Sequence, residues 1–249
     1  MTNGNRNSPE LYPGRELEVM ASTYRYQRWI AEQFLSYLHG NVMEIGAGIG
    51  TMARMWLKHA TALHLVEPAR NLFPQLSANL KDEPKVVLHG GMLEEVLSDH
   101  VQFAEQSFDA IILINVLEHI ADDKLMLEQI HRMLASDGYL LLFVPALPVI
   151  YGSLDASIGH YRRYTKRGIA TLCREADYEI VRLHYFDLLG VLPWWFVGRI
   201  LRIATLRPGM ANLYDAVGVP VTRLLEKLIY PPVGKNLVLV ARKTAAGSE

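Results

Sequence analysis

Val42-Met43-Glu44-Ile45-Gly46-Ala47-Gly48-Ile49-Gly50-Thr51 is an apolar run that ends in three spaced glycines and passes directly into a helix-forming segment. Residues 41–45 have the length and the Val/Ile content of a buried strand, and residues 52–59 are good helix formers. Gly46, Gly48 and Gly50 remove every second Cβ from the turn between them, so the chain can bend sharply and a ligand can lie against bare backbone. The free N–H groups that open the following helix face that ligand. A turn of this kind suits a nucleotide-like molecule.

Upstream, Glu16 to Leu38 carries Met20, Tyr24, Trp29, Phe34 and Leu38 at helical spacing, with His39-Gly40 as a stop. Downstream, residues 62–66 read as a second strand ending in Glu67-Pro68, and Pro68 is placed to open a helix reaching about Leu80. Residues 85–88, 108–114 and 139–144 read as further strands, with an amphipathic helix over 123–134. After Pro145 comes a Tyr-, Arg- and His-rich connection, then a helix over 167–176 and strands over 179–185 and 237–241. Strands that alternate with helices and are apolar on both faces predict a mostly parallel sheet covered on both sides. The fold expected is therefore α/β and Rossmann-like, with seven strands. About fifty residues separate the last two strands where a hairpin would suffice, which predicts a helical cap inserted over 187–234.

The chain has 249 residues, half of them hydrophobic, which fits one large domain over 16–249 preceded by a disordered Asn-, Gly- and Ser-rich tail over 1–15. That tail has no apolar h-region, so a cytoplasmic location is expected. A formal net charge of −1 with interspersed signs argues against nucleic acid as partner. Cys173, the only cysteine, excludes an intramolecular disulfide and a Cys-rich metal site; it reads as a buried small hydrophobe, and no metal is expected.

In open α/β sheets ligands bind beyond the carboxyl ends of the strands, where the strand order reverses. Gly46 to Gly50, Glu67, Gly91-Met92 and Asn115 to His119 all fall at such ends. Glu67 stands about twenty residues beyond the glycines, the distance at which an acid accepts from ribose hydroxyls. With Glu44-Ile45-Gly46-Ala47-Gly48-Ile49-Gly50, Val66-Glu67-Pro68, Phe108 to Ile112, Leu117-Glu118-His119-Ile120 and Leu134 to Val144, the chain resembles the class I S-adenosylmethionine-dependent methyltransferases. The resemblance is strongest over Tyr24 to Val144. It implies that the last strand runs antiparallel and that the glycine turn, with Glu44, Gly46, Ala47, Gly48 and Gly50, carries the methionine portion. It places Glu67 on the ribose beside Pro68, Gly91, Met92 and Leu93 around the adenine, and Asn115, Val116 and Leu117 near the methyl group. Many members have an acid directly after the third strand where this chain has Gly91-Met92, and Glu94 is the alternative acceptor.

A nicotinamide-dependent oxidoreductase is the competing enzyme. Its fingerprint wants glycine one place later, where Thr51 stands. A third reading is a non-catalytic cofactor-binding subunit that activates a partner.

Methyl transfer is an in-line displacement in which the protein aligns the partners and excludes water; a base is needed only for a protonated acceptor. His119 and His160 are the candidate bases, each with a structural alternative. Tyr151, Asp155, Arg162, Arg163 and Tyr164 crowd the connection after the fifth strand, where the two arginines can grip an anionic or phenolic acceptor, or else one pairs with Asp155 to hold the loop and the other is solvated. In the cap, residues 188–198 are apolar all round and carry Trp194 and Trp195. They fit a lid, a lipid-like or small-molecule acceptor, or peripheral membrane contact. Tyr24 and Tyr26 precede the glycine strand on a helix that can fold over the cofactor, or else Tyr24 and Trp29 are core with Tyr26 exposed. Oligomeric state is open.

Overall fold

The computed structural model describes residues 11–12, 16–99, 103, 106–203, 205 and 208–244; most of the expected tail lies outside them. Seven strands, β1 (Asn41–Ile45), β2 (Ala62–Glu67), β3 (Val86–Gly90), β4 (Phe108–Ile114), β5 (Leu134–Pro145), β6 (Tyr178–Phe186) and β7 (Asn236–Lys243), form one sheet in the order β3-β2-β1-β4-β5-β7-β6. The first five pair in parallel and β7 runs antiparallel to both β5 and β6. The order reverses between β1 and β4, which sets the ligand site beyond their carboxyl ends.

Side chains alternate along each strand between two apolar layers. Met43, Ile111, Leu113, Leu140, Leu142 and Leu239 face one core with α5 (Leu93–Asp99), α6 (Asp123–Met133) and α8 (Lys166–Glu175). Val42, Ile112, Leu141, Phe143 and Val238 face the other, with α2 (Tyr24–Ala31), α3 (Ala53–Trp56) and α4 (Phe73–Leu80). Burial on both faces is why these strands are continuous hydrophobic runs. Asp122 caps α6 by accepting from Leu125 N–H at 2.9 Å, and Thr165 caps α8 by accepting from Gly168 N–H at 2.9 Å.

Two expected helices are shorter than their patterns. The N-terminal one breaks into α1 (Glu16–Ala21), α2 and a 3₁₀ turn, because the Ser22 and Thr23 hydroxyls take the Val19 and Met20 carbonyls. Helix α4 begins only at Phe73, because the Glu67 carboxylate captures the Ala69 N–H at 2.8 Å and bends the chain after Pro68.

Beyond α7 (Ser153–Ser157), the insertion between β6 and β7 is helical, as its pattern implies. It contains α9 (Val191–Trp195) running into a π turn, then α10 (Pro208–Leu213), a second π turn and α11 (Val219–Leu228) without a break. Asp187, fully buried, ties it down: it accepts from Tyr26 Oη at 3.0 Å, Gly190 N–H at 3.1 Å and Tyr214 Oη, and pairs with Lys235 Nζ at 3.0 Å.

Candidate active site

A cleft of about 1010 Å³ opens at the switch point. The glycine turn forms its floor with Gly46, Gly48 and Gly50 all at positive φ (74°, 58° and 82°), a region that favours glycine. A Cβ on Gly46 would stand 2.4 Å from Val116 Cγ2, so the bare backbone also lets the segment after β4 close against the turn.

Glu67 is buried and holds the turn in place, accepting from Gly48 N–H at 2.6 Å and Ala69 N–H at 2.8 Å. Burial raises its pKa and the two N–H groups oppose the rise. Glu44, one pleat from Val42, sits under the cleft and accepts from Trp56 Nε1 at 3.1 Å; burial pushes its carboxyl up to about 8, outweighing the Trp56 bond. Glu44, Gly46, Ala47, Glu67, Pro68, Met92, Asn115 and Val116 line the cleft, and Glu94 joins Met92 at its β3 end.

Other expected cofactor residues lie elsewhere. Leu93 and Leu117 are packed in the core, so Leu93 does not face the slot with Met92. Gly48, Gly50 and Gly91 support the walls without lining them; Gly50 leaves room for Leu76 and Leu80 of α4, and Gly91 for Glu95. Tyr24 is 62% exposed and away from the cleft, whereas Tyr26 is buried and lines it. Two positions on a helix are about 200° apart, and the face carrying Tyr26, Trp29 and Ile30 is the one that packs inward.

At the other end of the cleft, His119, His160 and Tyr161 come together with the backbone of Gly159. The two imidazoles meet edge to face with centroids 4.7 Å apart. Burial, with His160 beside it, lowers the His119 pKa to about 4, so this ring is neutral. His160 Nδ1 lies 3.0 Å from Asp155 Oδ1. Asp155 is fully buried and also accepts from Gly152 N–H, Arg163 Nε and Trp194 Nε1, at 3.0, 2.8 and 3.2 Å. Burial raises its pKa, but the His160 bond, the Arg163 charge and the other donors outweigh it and leave it lowered.

The connection after β5 therefore differs from its expected role. Arg163 is locked inside, spanning Asp155 and the Ala146 carbonyl, and Arg162 is held by Asp123 at 2.7 Å and the Ala121 carbonyl at 2.7 Å. Arg163 still lines the cleft, whereas Arg162 does not. Tyr164 bonds Asp123 at 2.9 Å and the Leu117 carbonyl, and Tyr151 bonds the His160 carbonyl at 2.7 Å; both brace the loop. Trp194 lines the cleft, while Trp195 is partly exposed on the cap and does not.

One residue quoted in the strand-end motif was given no role by the sequence reading. Glu118 is fully buried, and neither carboxylate oxygen has a hydrogen-bond partner. Oε1 is 3.6 Å from His160 Nε2, and burial raises the Glu118 pKa to about 8 despite Arg163 nearby. Its signal in the sequence was the charged pair Glu118-His119 closing an apolar strand.

A switch-point cleft with a glycine floor, an acid after the second strand and an antiparallel β7 between β5 and β6 together fit a class I S-adenosylmethionine-dependent methyltransferase. A family model described as a methyltransferase domain matches residues 18–183, two thirds of the sequence, and the chain belongs to that family. S-adenosylmethionine is its cofactor, which removes the nicotinamide reading. A search of the curated proteins finds no match. Among solved structures, the chain is similar to a SAM-dependent methyltransferase from Thermotoga maritima, at 16% identity and TM-score 0.62, over 92% of this chain and 95% of that one. It is also similar to phosphoethanolamine N-methyltransferase 2 of Haemonchus contortus, solved with S-adenosyl-L-methionine. There identity is 14% and TM-score 0.60, over 92% of this chain and 57% of that one. A chain from the Haloferax volcanii complex of a methyltransferase with the Trm112 activator matches at 14% identity and TM-score 0.63, over 96% of this chain and all of that one. At such identities the likeness is one of fold.

Proposed function

We propose that the enzyme methylates an acceptor with a lipid-like apolar body, whose nucleophile lies against His119 and His160. The observation that carries this reading is a second, apolar cavity of about 460 Å³ beneath the cap. It shares Met20, Tyr26, Leu154, Trp194 and Lys235 with the main cleft, so the two are neighbours across one wall. A polar head in the cleft and an apolar tail under Pro193, Val197 and Leu213 use both.

In this reading the sulfonium ligand occupies the other half of the cleft. Gly46 and Ala47 carry its methionine portion, Glu67 takes the ribose hydroxyls, and Pro68, Leu72 and Met92 hold the adenine, with Glu94 within reach of its edge. With Arg162 paired to Asp123 and Arg163 to Asp155, this reading takes the acceptor group to be a hydroxyl or an amine.

The outer surface of the cap fits a membrane-resident acceptor. Met210, Leu213, Val217, Val221, Leu224 and Leu228 recur at helical spacing and are all exposed, while Ala211, Asp215, Val219 and Thr222 face inward. Leu192, Trp195, Phe196 and Ile200 extend the apolar surface. Of the acids of the cap, Asp187 and Asp215 are buried and Glu226 is half-buried, whereas Arg199, Arg202 and Lys227 are exposed. Apolar stripes edged by basic residues suit an anionic bilayer surface. No described helix is long and apolar enough to cross a membrane.

The test is transfer of tritiated methyl from S-adenosylmethionine to a cellular lipid extract, beside phosphoethanolamine as a water-soluble comparison. Label is expected in the organic phase. Label found only in water-soluble product would sink the lipid-like acceptor.

A further inference from the structure

Glu118, His119 and His160 come from two segments forty residues apart, yet each offers one ligand atom within 4.8 Å of the others. The fold brings them together because the Tyr161 N–H donates to the Glu118 carbonyl at 2.8 Å, pinning the loop after β5 against the end of β4. Two features separate this cluster from an ordinary polar contact. Glu118 is fully buried, and beyond the 3.6 Å approach of His160 Nε2 its oxygens lack a hydrogen-bond partner, an arrangement that is costly for a buried carboxyl group. His160 Nδ1, moreover, is already occupied by Asp155, which turns Nε2 towards Glu118, with Oε1 3.6 Å away.

We propose that Glu118, His119 and His160 bind a divalent transition-metal ion such as Zn²⁺ at the acceptor end of the cleft. Two imidazoles and one carboxylate suit such an ion better than Mg²⁺ or Ca²⁺, which prefer all-oxygen sites. The Asp155–His160 pair supplies the outer carboxylate that commonly orients a metal-bound histidine. Three protein ligands leave coordination positions open. His119 and His160 line the cleft, so those positions face the space where the proposed acceptor docks and can hold its oxygen or nitrogen. This role rests on the acceptor reading above, whereas the metal site itself does not.

The experiment uses the full chain, stripped with a chelator and titrated with Co²⁺, followed by its ligand-field absorption and by calorimetry. S-adenosylhomocysteine binding is measured on the same preparation. One equivalent of Co²⁺ is expected, displaced by Zn²⁺. Glu118→Gln and, separately, His119→Ala, each checked by circular dichroism for native folding, are expected to weaken Co²⁺ binding at least tenfold. Absence of stoichiometric Co²⁺ binding by the wild type, or unchanged binding in both folded variants, overturns the site. Failure to bind S-adenosylhomocysteine would count against the cofactor assignment and leave the metal result to be read alone.

Discussion

The backbone N–H of Gly48 donates to the Glu67 carboxylate at 2.6 Å, joining the glycine turn after β1 to the acid at the end of β2. The same carboxylate thus shapes the turn and faces the cleft. Glu67→Gln keeps the size, but its amide nitrogen cannot accept, so one of the Gly48 and Ala69 N–H bonds is lost along with the charge. Affinity for S-adenosylhomocysteine is expected to fall about 10- to 100-fold, the value of a hydrogen bond to a charged group, as read by calorimetry. An unchanged affinity would remove Glu67 from the ribose site.

Gly46 and Val116 define a second contact whose strength can be read. Gly46→Ala places a methyl 2.4 Å from Val116 Cγ2 at a φ of 74°. A loss of about 1–3 kcal/mol is expected from strain and clash. Adding Val116→Ala relieves the clash but not the backbone conformation. The double variant should accordingly be less destabilised than the sum of the two singles in urea melts.

Glu44 makes stability depend on pH. Its folded pKa of about 8 lies above the ordinary 4.5, so the folded protein keeps a proton that the unfolded chain sheds. Its contribution is therefore fully present below about pH 4.5 and is lost as pH rises towards 8. Glu44→Gln, neutral throughout, should match the wild type in stability near pH 4.5 and exceed it on the order of 5 kcal/mol above pH 8. Chemical denaturation at both pH values checks this, and equal stability at high pH would contradict it.

The cap stripe gives a prediction on binding. Val221, Leu224 and Leu228 are 47%, 62% and 76% exposed and border neither cavity, so replacing all three with Ser leaves the core intact. Co-sedimentation with anionic vesicles is expected to drop at least tenfold, and to weaken with added salt in the wild type. Equal sedimentation of the triple Ser variant would exclude the stripe as the membrane face.

Every strand was legible in the sequence to within a few residues, with β5 beginning earlier than expected, because a two-sided buried strand must be a contiguous apolar run. Helix ends were less legible. The breaks at Ser22-Thr23 and after Pro68 depend on side chains that capture nearby backbone groups, and helical spacing does not register that competition.

The sequence by itself determined the fold class, the glycine turn and the cofactor class. Each is written in short contiguous motifs, Glu44 to Gly50 and Val66 to Pro68, whose chemistry needs only local geometry and a repeated strand–helix order. Only the tertiary structure decided the pairings at the far end of the cleft: an Arg–Asp155 pair was one of two sequence alternatives and falls to Arg163, Arg162 is held by Asp123, and Glu118 meets His160 across about forty residues. Those pairings depend on which loop closes against which strand end. Closure of that kind is fixed by packing over the whole sheet, so the motif residues do not encode it.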